Sequence, residues 1–206
     1  MKLKRILSLA LSGVLAVSML TACGIGGGSG IFGAGDQSRD FAKLLNSKLD
    51  DATAEAIEYS GRSRFSLNSA IRDVANTLSE NQISNGPATG TIPSTVQQLT
   101  QCVDLNINDA WVASPEDRNH VKVFVYDADN DDYNTLDEVA TAVRDQLNTM
   151  KLGDEQALSS GGFTNEYSGY VAAYQTTLDA GEEDAHAWVI GVVIVQDSEP
   201  VASTNA

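Results

Sequence analysis

Trp188, Val189, Ile190, Gly191, Val192, Val193, Ile194 and Val195 make a run with no polar side chain in it. Strand side chains point to alternate faces, so a run apolar at every position reads as a central strand buried on both sides. Two further strand signals accompany it. Val121, Val123 and Val125 alternate with Lys122, Phe124 and Tyr126, and in residues 167–178 Val171 and Ala173 alternate with Ala172 and Tyr174. Between these two lie Leu136, Val139, Ala140, Val143, Leu147 and Met150, a helical stripe stopped at Leu152 and Gly153. Residues 159–162 read as a loop and residues 179–185 as an acidic connector.

The first half reads as helices. Phe41, Leu44, Leu45, Leu49, Ala52, Ala56 and Ile57 form one stripe, which predicts a single helix over 36–59 ended by Ser60 and Gly61. Ile71, Val74, Ala75 and Leu78 predict a second over 67–80, and residues 85–93 a loop. Ser94, Thr95, Val96 and Gln97 resemble a capping box opening a third helix, with Val96, Leu99 and Val103 inward and Cys102 on it. Cys102 reads as a small buried apolar residue rather than a reactive thiol. Helices first, then strand, helix, strand, strand, is an α+β order. The economical arrangement is a helical layer on a small, largely antiparallel sheet. The expected organisation is one α+β domain over 36–196 and a frayed tail over 197–206.

The N-terminus carries a separate message. Lys2, Lys4 and Arg5 precede an apolar stretch over 6–19, too short to span a bilayer, which needs roughly 20 apolar residues. Leu20, Thr21, Ala22, Cys23 and Gly24 follow, and the whole resembles the signal peptide and lipobox of bacterial lipoproteins. The resemblance implies removal of residues 1–22 and a diacylglycerol and further acyl lipid on Cys23. It also implies attachment to the extracytoplasmic face of the cell membrane through that anchor. The alternative is an ordinary secretory signal with a coincidental cysteine, and both readings export the domain. Seven of the twelve residues 24–35 are glycine, so 23–35 reads as a tether.

Of 206 residues, 13 are basic and 28 acidic; without Lys2, Lys4 and Arg5 the rest carries −18. Such a charge argues against a nucleic-acid binder and against a polybasic membrane-surface module. A hydrophobic content of 42% suffices for a packed core.

The sharpest chemical signal is the acidic stretch 127–138, which resembles the calcium loop of EF-hands. Asp127, Asp129 and Asp131 fall at loop positions one, three and five, and Glu138 at twelve. Calcium takes six to eight hard oxygens. The resemblance implies side-chain oxygens from these three aspartates, the carbonyl of Tyr133, an oxygen from Thr135, and both oxygens of Glu138. Asp132 stands where the family has glycine, Asn134 where it has an aliphatic residue, and the preceding segment reads as a strand. Thr135 and Glu138 also spell a capping box, which gives Glu138 work without metal. Residues 104–109 alternate similarly, but Pro115 stands at their twelfth position, so no calcium loop is expected there.

Trp111, Ser114, Pro115 and Arg118 resemble the Trp-x-x-Ser-Pro-x-x-Arg stretch of the CAP superfamily (cysteine-rich secretory, antigen 5, pathogenesis-related), whose members form α-β-α sandwiches. Phe163, Thr164, Gly169, Tyr170 and Val171, then residues 188–191, are similar to its last two strands. Asp117 replaces the family's histidine, so its metal tetrad is not carried over. Ser114 with Pro115, Glu116 and Asp117 also spells an ordinary helix N-terminus.

His120 and His186 are the only histidines, and neither lies in a nucleophile or zinc motif. Trp111 and Trp188 suit the core better than a sugar-stacking platform. These features point to a lipid-anchored binding or interaction module rather than an enzyme, with calcium as candidate cofactor and a surface protein or glycan as partner. The alternative is a degenerate CAP-like protein or a carboxylate-based cell-wall hydrolase. A groove gathering acids and an aromatic favours the hydrolase; a strand, acidic loop and helix without another cleft favours the module.

Overall fold

The apolar run 188–195 lies in the middle of an eight-stranded, largely antiparallel sheet. The computed structural model describes residues 35–178 and 185–201. The signal peptide, Cys23, the tether up to residue 34, most of the acidic connector (179–184) and residues 202–206 lie outside them.

In chain order the first half holds β1 (Gly35–Asp36), α1 (Ser38–Ser47), α2 (Asp51–Ala56), β2 (Tyr59–Ser60), α3 (Leu67–Thr77), β3 (Gly86–Pro87), α4 (Ile92–Thr100) and β4 (Val103–Asp104). The second half holds β5 (Arg118–Asp127), α5 (Leu136–Asn148), α6 (Glu155–Leu158), β6 (Ser159–Ser160), β7 (Phe163–Leu178) and β8 (Ala185–Pro200). The fold is α+β, with helices ahead of a strand-rich second half. Among the described residues no helix is long and apolar enough to cross a membrane.

Three long strands carry the sheet, in the order β7, β8, β5, all antiparallel. Their outer edges are covered by two-residue strands. β6, β2 and β1 pair successive parts of β7, and β4 and β3 pair β5. Short edge strands offer little template for another chain to pair with.

Helices cover both faces of this sheet, not one. Trp188, Ile190, Val192 and Ile194 face α1 and α5 with Phe124, Tyr126 and Val171. Val189, Val193 and Val195 face α3 and α4 with Val121, Val123 and Val125. The single helical layer expected from the chain order is therefore corrected to two. The cause is β8 itself, since a strand apolar on both sides leaves one face wet unless both are covered, at about 1.5–3 kcal/mol per large side chain.

Local boundaries also differ from expectation. The helix predicted over 36–59 is two, because Asp50 accepts a hydrogen bond from the Thr53 N–H at 2.9 Å and starts α2. The third helix begins at Ile92, with Pro93 in its first turn, and ends at Thr100. Cys102 thus lies beyond it, buried, its thiol pushed up by desolvation, while Leu99 and Val103 are exposed rather than inward. Residues 197–200, expected to fray, pair with 163–166 as the end of β8.

Close approach fixes β7. A Cβ at Gly169 would lie 2.3 Å from the ring of Tyr59, which is itself buried and cannot swing away. Gly169→Ala is therefore expected to cost about 1–3 kcal/mol of unfolding free energy. Gly86→Ala, whose Cβ meets nothing within 4 Å, is expected to stay within about 0.5 kcal/mol. Urea denaturation of both variants checks this contrast.

Candidate functional site

One end of the sheet supports a cleft of about 200 Å³ between residues 104–120 and β8. Its walls include Asp104, Asp109, Trp111, Arg118, His120 and Gln196. The segment leading from Trp111 to β5 has no regular structure, so the helix N-terminus expected at Ser114 and Pro115 does not form. Its backbone groups find partners elsewhere. The Trp111 N–H donates to the Met150 carbonyl at 2.7 Å and the Ala113 N–H to the Gln156 carbonyl at 2.9 Å.

Side chains from the sheet complete the anchoring. Gln196 is 2% exposed. Its Oε1 accepts from the Trp111 indole N–H at 3.1 Å, and its Nε2 donates to the carbonyls of Ser114 (3.2 Å) and Glu116 (2.9 Å). The Ser198 hydroxyl donates to the Ser114 carbonyl at 2.8 Å, and the Ser198 N–H to Asp117 Oδ1 at 2.7 Å. Oriented by its neighbours, the Asn165 amide accepts from the Ser114 N–H at 3.2 Å and donates to the Ser114 carbonyl at 3.1 Å. Among the described residues six polar side chains are buried, and two of them, Asn165 and Gln196, hold this one loop. Burying an amide costs free energy unless each polar atom is paired, and these are spent on orienting a surface segment.

The result is a preset wall. The Trp111 ring meets His120 edge to face at 4.6 Å and Tyr167 at 5.6 Å. Burial pushes the Tyr167 hydroxyl up to about 12, so it remains a neutral donor, bonded to the Ala157 carbonyl. Trp188, in contrast, is core. The two acids of the cleft are committed. Asp104 binds Lys122 Nζ with both oxygens, at 2.9 and 3.0 Å, and Asp109 accepts from Asn106 at 2.9 Å. Arg118 is paired with Glu116. Trp111, expected in the core, is half-buried, packing against the core on one side and lining the cleft on the other; the only local signal for Gln196 is one amide directly after an apolar run.

The acidic loop has a different geometry. Asp127 ends β5 and accepts from the Asp129 N–H at 3.0 Å. Asp129 holds His186 with both oxygens, taking its backbone N–H at 2.7 Å and its Nδ1 at 2.9 Å. Glu138 Oε2 caps the Thr135 N–H at 2.9 Å, and Thr135 Oγ1 accepts from the Glu138 N–H. Both halves of the capping box are made. Tyr133 lies on Tyr126 at 4.8 Å, and Asp131 is exposed. Asp132 has no positive φ, so the sharp turn of a calcium loop is not formed. Among the described residues no group of three or more His, Cys, Asp or Glu side chains is placed to hold a metal ion.

His120 makes the cleft sensitive to pH. Burial lowers its proton affinity below the usual 6.5 and Arg118 adds to this, against the Asp104 carbonyl and carboxylate, which raise it. The folded chain thus resists a proton that the unfolded chain accepts. The stabilisation is complete above the unfolded value and is lost as pH falls through the folded one. The unfolding free energy should therefore drop between pH 7.5 and 5.5 by more in the wild type than in His120→Gln. Equal slopes for the two proteins would contradict this. No family model, curated protein or solved structure matches this chain.

Proposed function

We propose that this chain is a lipid-anchored, extracytoplasmic binding module, not an enzyme, and that it recognises its partner through the Trp111 cleft. The observation that carries the reading is the loop of Trp111, held by buried Gln196 and Asn165 in a cleft whose charged groups already have partners. Preorganisation of this kind lowers the entropic cost of binding. Neither histidine is hydrogen-bonded to a serine, threonine or cysteine among the described residues, so no activated nucleophile supports a covalent reading. The anchor rests on the lipobox resemblance at Cys23, and the partner on the surface is a protein or a glycan.

The hydrolase reading keeps one specific support, since the cleft brings Asp104 and Asp109 beside an aromatic. Hydrolysis by paired carboxylates needs one acid able to give up a proton to the leaving group. Asp104, gripped by Lys122, is poorly placed for that role. Co-sedimentation with purified cell-wall glycan separates the two readings. The module predicts binding lost in Trp111→Ala with no soluble sugar released. Release by the wild type that stops in Asp109→Asn would favour the hydrolase. For the anchor, Cys23→Ala should move the chain from the membrane to the soluble fraction; a variant still in the membrane would refute it.

Calcium modulation through Asp127, Asp129, Asp131, Tyr133, Thr135 and Glu138 belongs to the same proposal, at a defined structural cost. The ion must draw Asp129 away from His186 and Glu138 away from Thr135. With calcium at about ten times its Kd the gain is ~1.4 kcal/mol, or a rise in Tm of about 4 °C. That rise should vanish in Asp129→Asn/Glu138→Gln, and an unchanged wild-type Tm at millimolar calcium would reduce the loop to a capped helix start.

A further inference from the structure

The other cations of this acidic domain are distributed with a pattern. All ten basic residues after Arg5 are among the described ones. Seven have a partner. Lys43 pairs with Asp40, Lys48 with Asp137, Arg72 with Asp73, Arg118 with Glu116, Lys122 with Asp104 and Arg144 with Asp145. Arg64 lies over the rings of Phe65 and Tyr170 at 4.8 and 4.9 Å. The side chains of Arg39, Arg62 and Lys151 have no ion pair, hydrogen bond or ring contact among the described residues. Two of these three, Arg39 and Arg62, share one place.

That place is a groove of about 540 Å³ between the start of α1 and the turn after β2, lined by Asp36, Arg39, Lys43, Arg62, Ser63 and Asn68. It continues into a second hollow that Arg39, Lys43 and Arg62 line again, with Glu58. The acids of the first groove are in use. Asp36 Oδ1 accepts the N–H of Ser38 at 3.0 Å and its hydroxyl at 2.6 Å, and Asp40 is tied to Lys43 at 2.9 Å. Asn68 Oδ1 is buried without a hydrogen bond. Acids outnumber bases almost three to one after Arg5, so two guanidinium groups that line one groove and pair with none of its acids, Glu58 of the second hollow included, are conspicuous. A guanidinium offers five N–H donors in a planar fork suited to phosphate oxygens.

We propose that this groove is an anion site that takes a phosphate ester through Arg39 and Arg62, with Lys43 and Ser63 beside it. Its source is either the headgroup of an anionic lipid or a soluble phosphate ester. Position favours the headgroup, and this part alone rests on the lipid-anchor reading. Eleven residues separate Cys23 from Gly35, the start of β1. Fully extended they reach at most about 40 Å, and Asp36 already lines the groove. A chain anchored at Cys23 keeps this groove near the bilayer, where it sets the orientation of the domain. The high overall negative charge disfavours free adsorption to the same surface.

The test uses the chain from residue 24 onward, without lipid, so that its outcome does not depend on the anchor. Glycerol 3-phosphate is titrated by calorimetry, and co-sedimentation is measured with vesicles of phosphatidylcholine alone or mixed equally with phosphatidylglycerol. Arg39→Gln/Arg62→Gln is the variant, Lys151→Gln the control, and thermal unfolding confirms that both fold. Saturable binding of glycerol 3-phosphate, weakened at least tenfold in the double variant and unchanged in the control, supports the site. If only the phosphatidylglycerol vesicles bind, with the same variant pattern, the source is the lipid headgroup. Absence of binding in both arms overturns the proposal, as does equal binding by the double variant or an equal loss in Lys151→Gln.

Discussion

The burial of β8 on both faces is the constraint on which the rest depends. Its side chains alternate between the layer of α1 and α5 and that of α3 and α4. Each layer has its own core, and the strand is common to both. β5 and β7 flank it in antiparallel register over their full lengths. The two-residue strands then finish the edges. Secondary structure, layering and edge protection all follow from one strand whose middle, residues 187–196, is buried on both faces.

The same strand generates the cleft. Ile190, Val192 and Ile194 point into the layer of α1 and α5, and two residues on, the next position of that face is Gln196. An amide there is buried but cannot be left unpaired. It takes the indole N–H of Trp111 and two carbonyls of the loop beyond. The change from apolar to polar in a single inward row is therefore what turns a core into the wall of a site. Asn165 and Ser198, at the same end of the β7–β8 ladder, bind the same Ser114 carbonyl.

Much of this was legible from residue periodicity, because strand and helix periods are local. The strand at 188–195, the helix of Leu136–Asn148 and the capping box of Thr135 and Glu138 fall where the pattern puts them. What escaped is nonlocal. The second helical layer is implied by an apolar run on both faces, yet chain order alone suggests one layer. Ser114 and Pro115 spell a helix start, but the loop's partners come from residues 165, 196 and 198. Trp111 and Trp188 look alike in sequence and are separated only by packing, one a cleft wall and one core. Arg39 and Arg62 are 23 positions apart and line one groove only because α1 and β2 both pack on β7. The two hydrogen bonds of Asp129 to His186 across the β5–β8 end likewise have no local signal.

Gln196 fixes the Trp111 loop to β8 through three hydrogen bonds. Native-state hydrogen exchange on the wild type and Gln196→Met tests this dependence. The amides of Trp111 and Ala113, bonded to Met150 and Gln156, should be protected in the wild type nearly as well as those of β8. In Gln196→Met their protection should fall by about 100-fold or more, since the loop loses the three hydrogen bonds of Gln196, while that of Val192 and Val193 persists. Unchanged protection at Trp111 and Ala113 in the variant would show that the loop holds itself without Gln196.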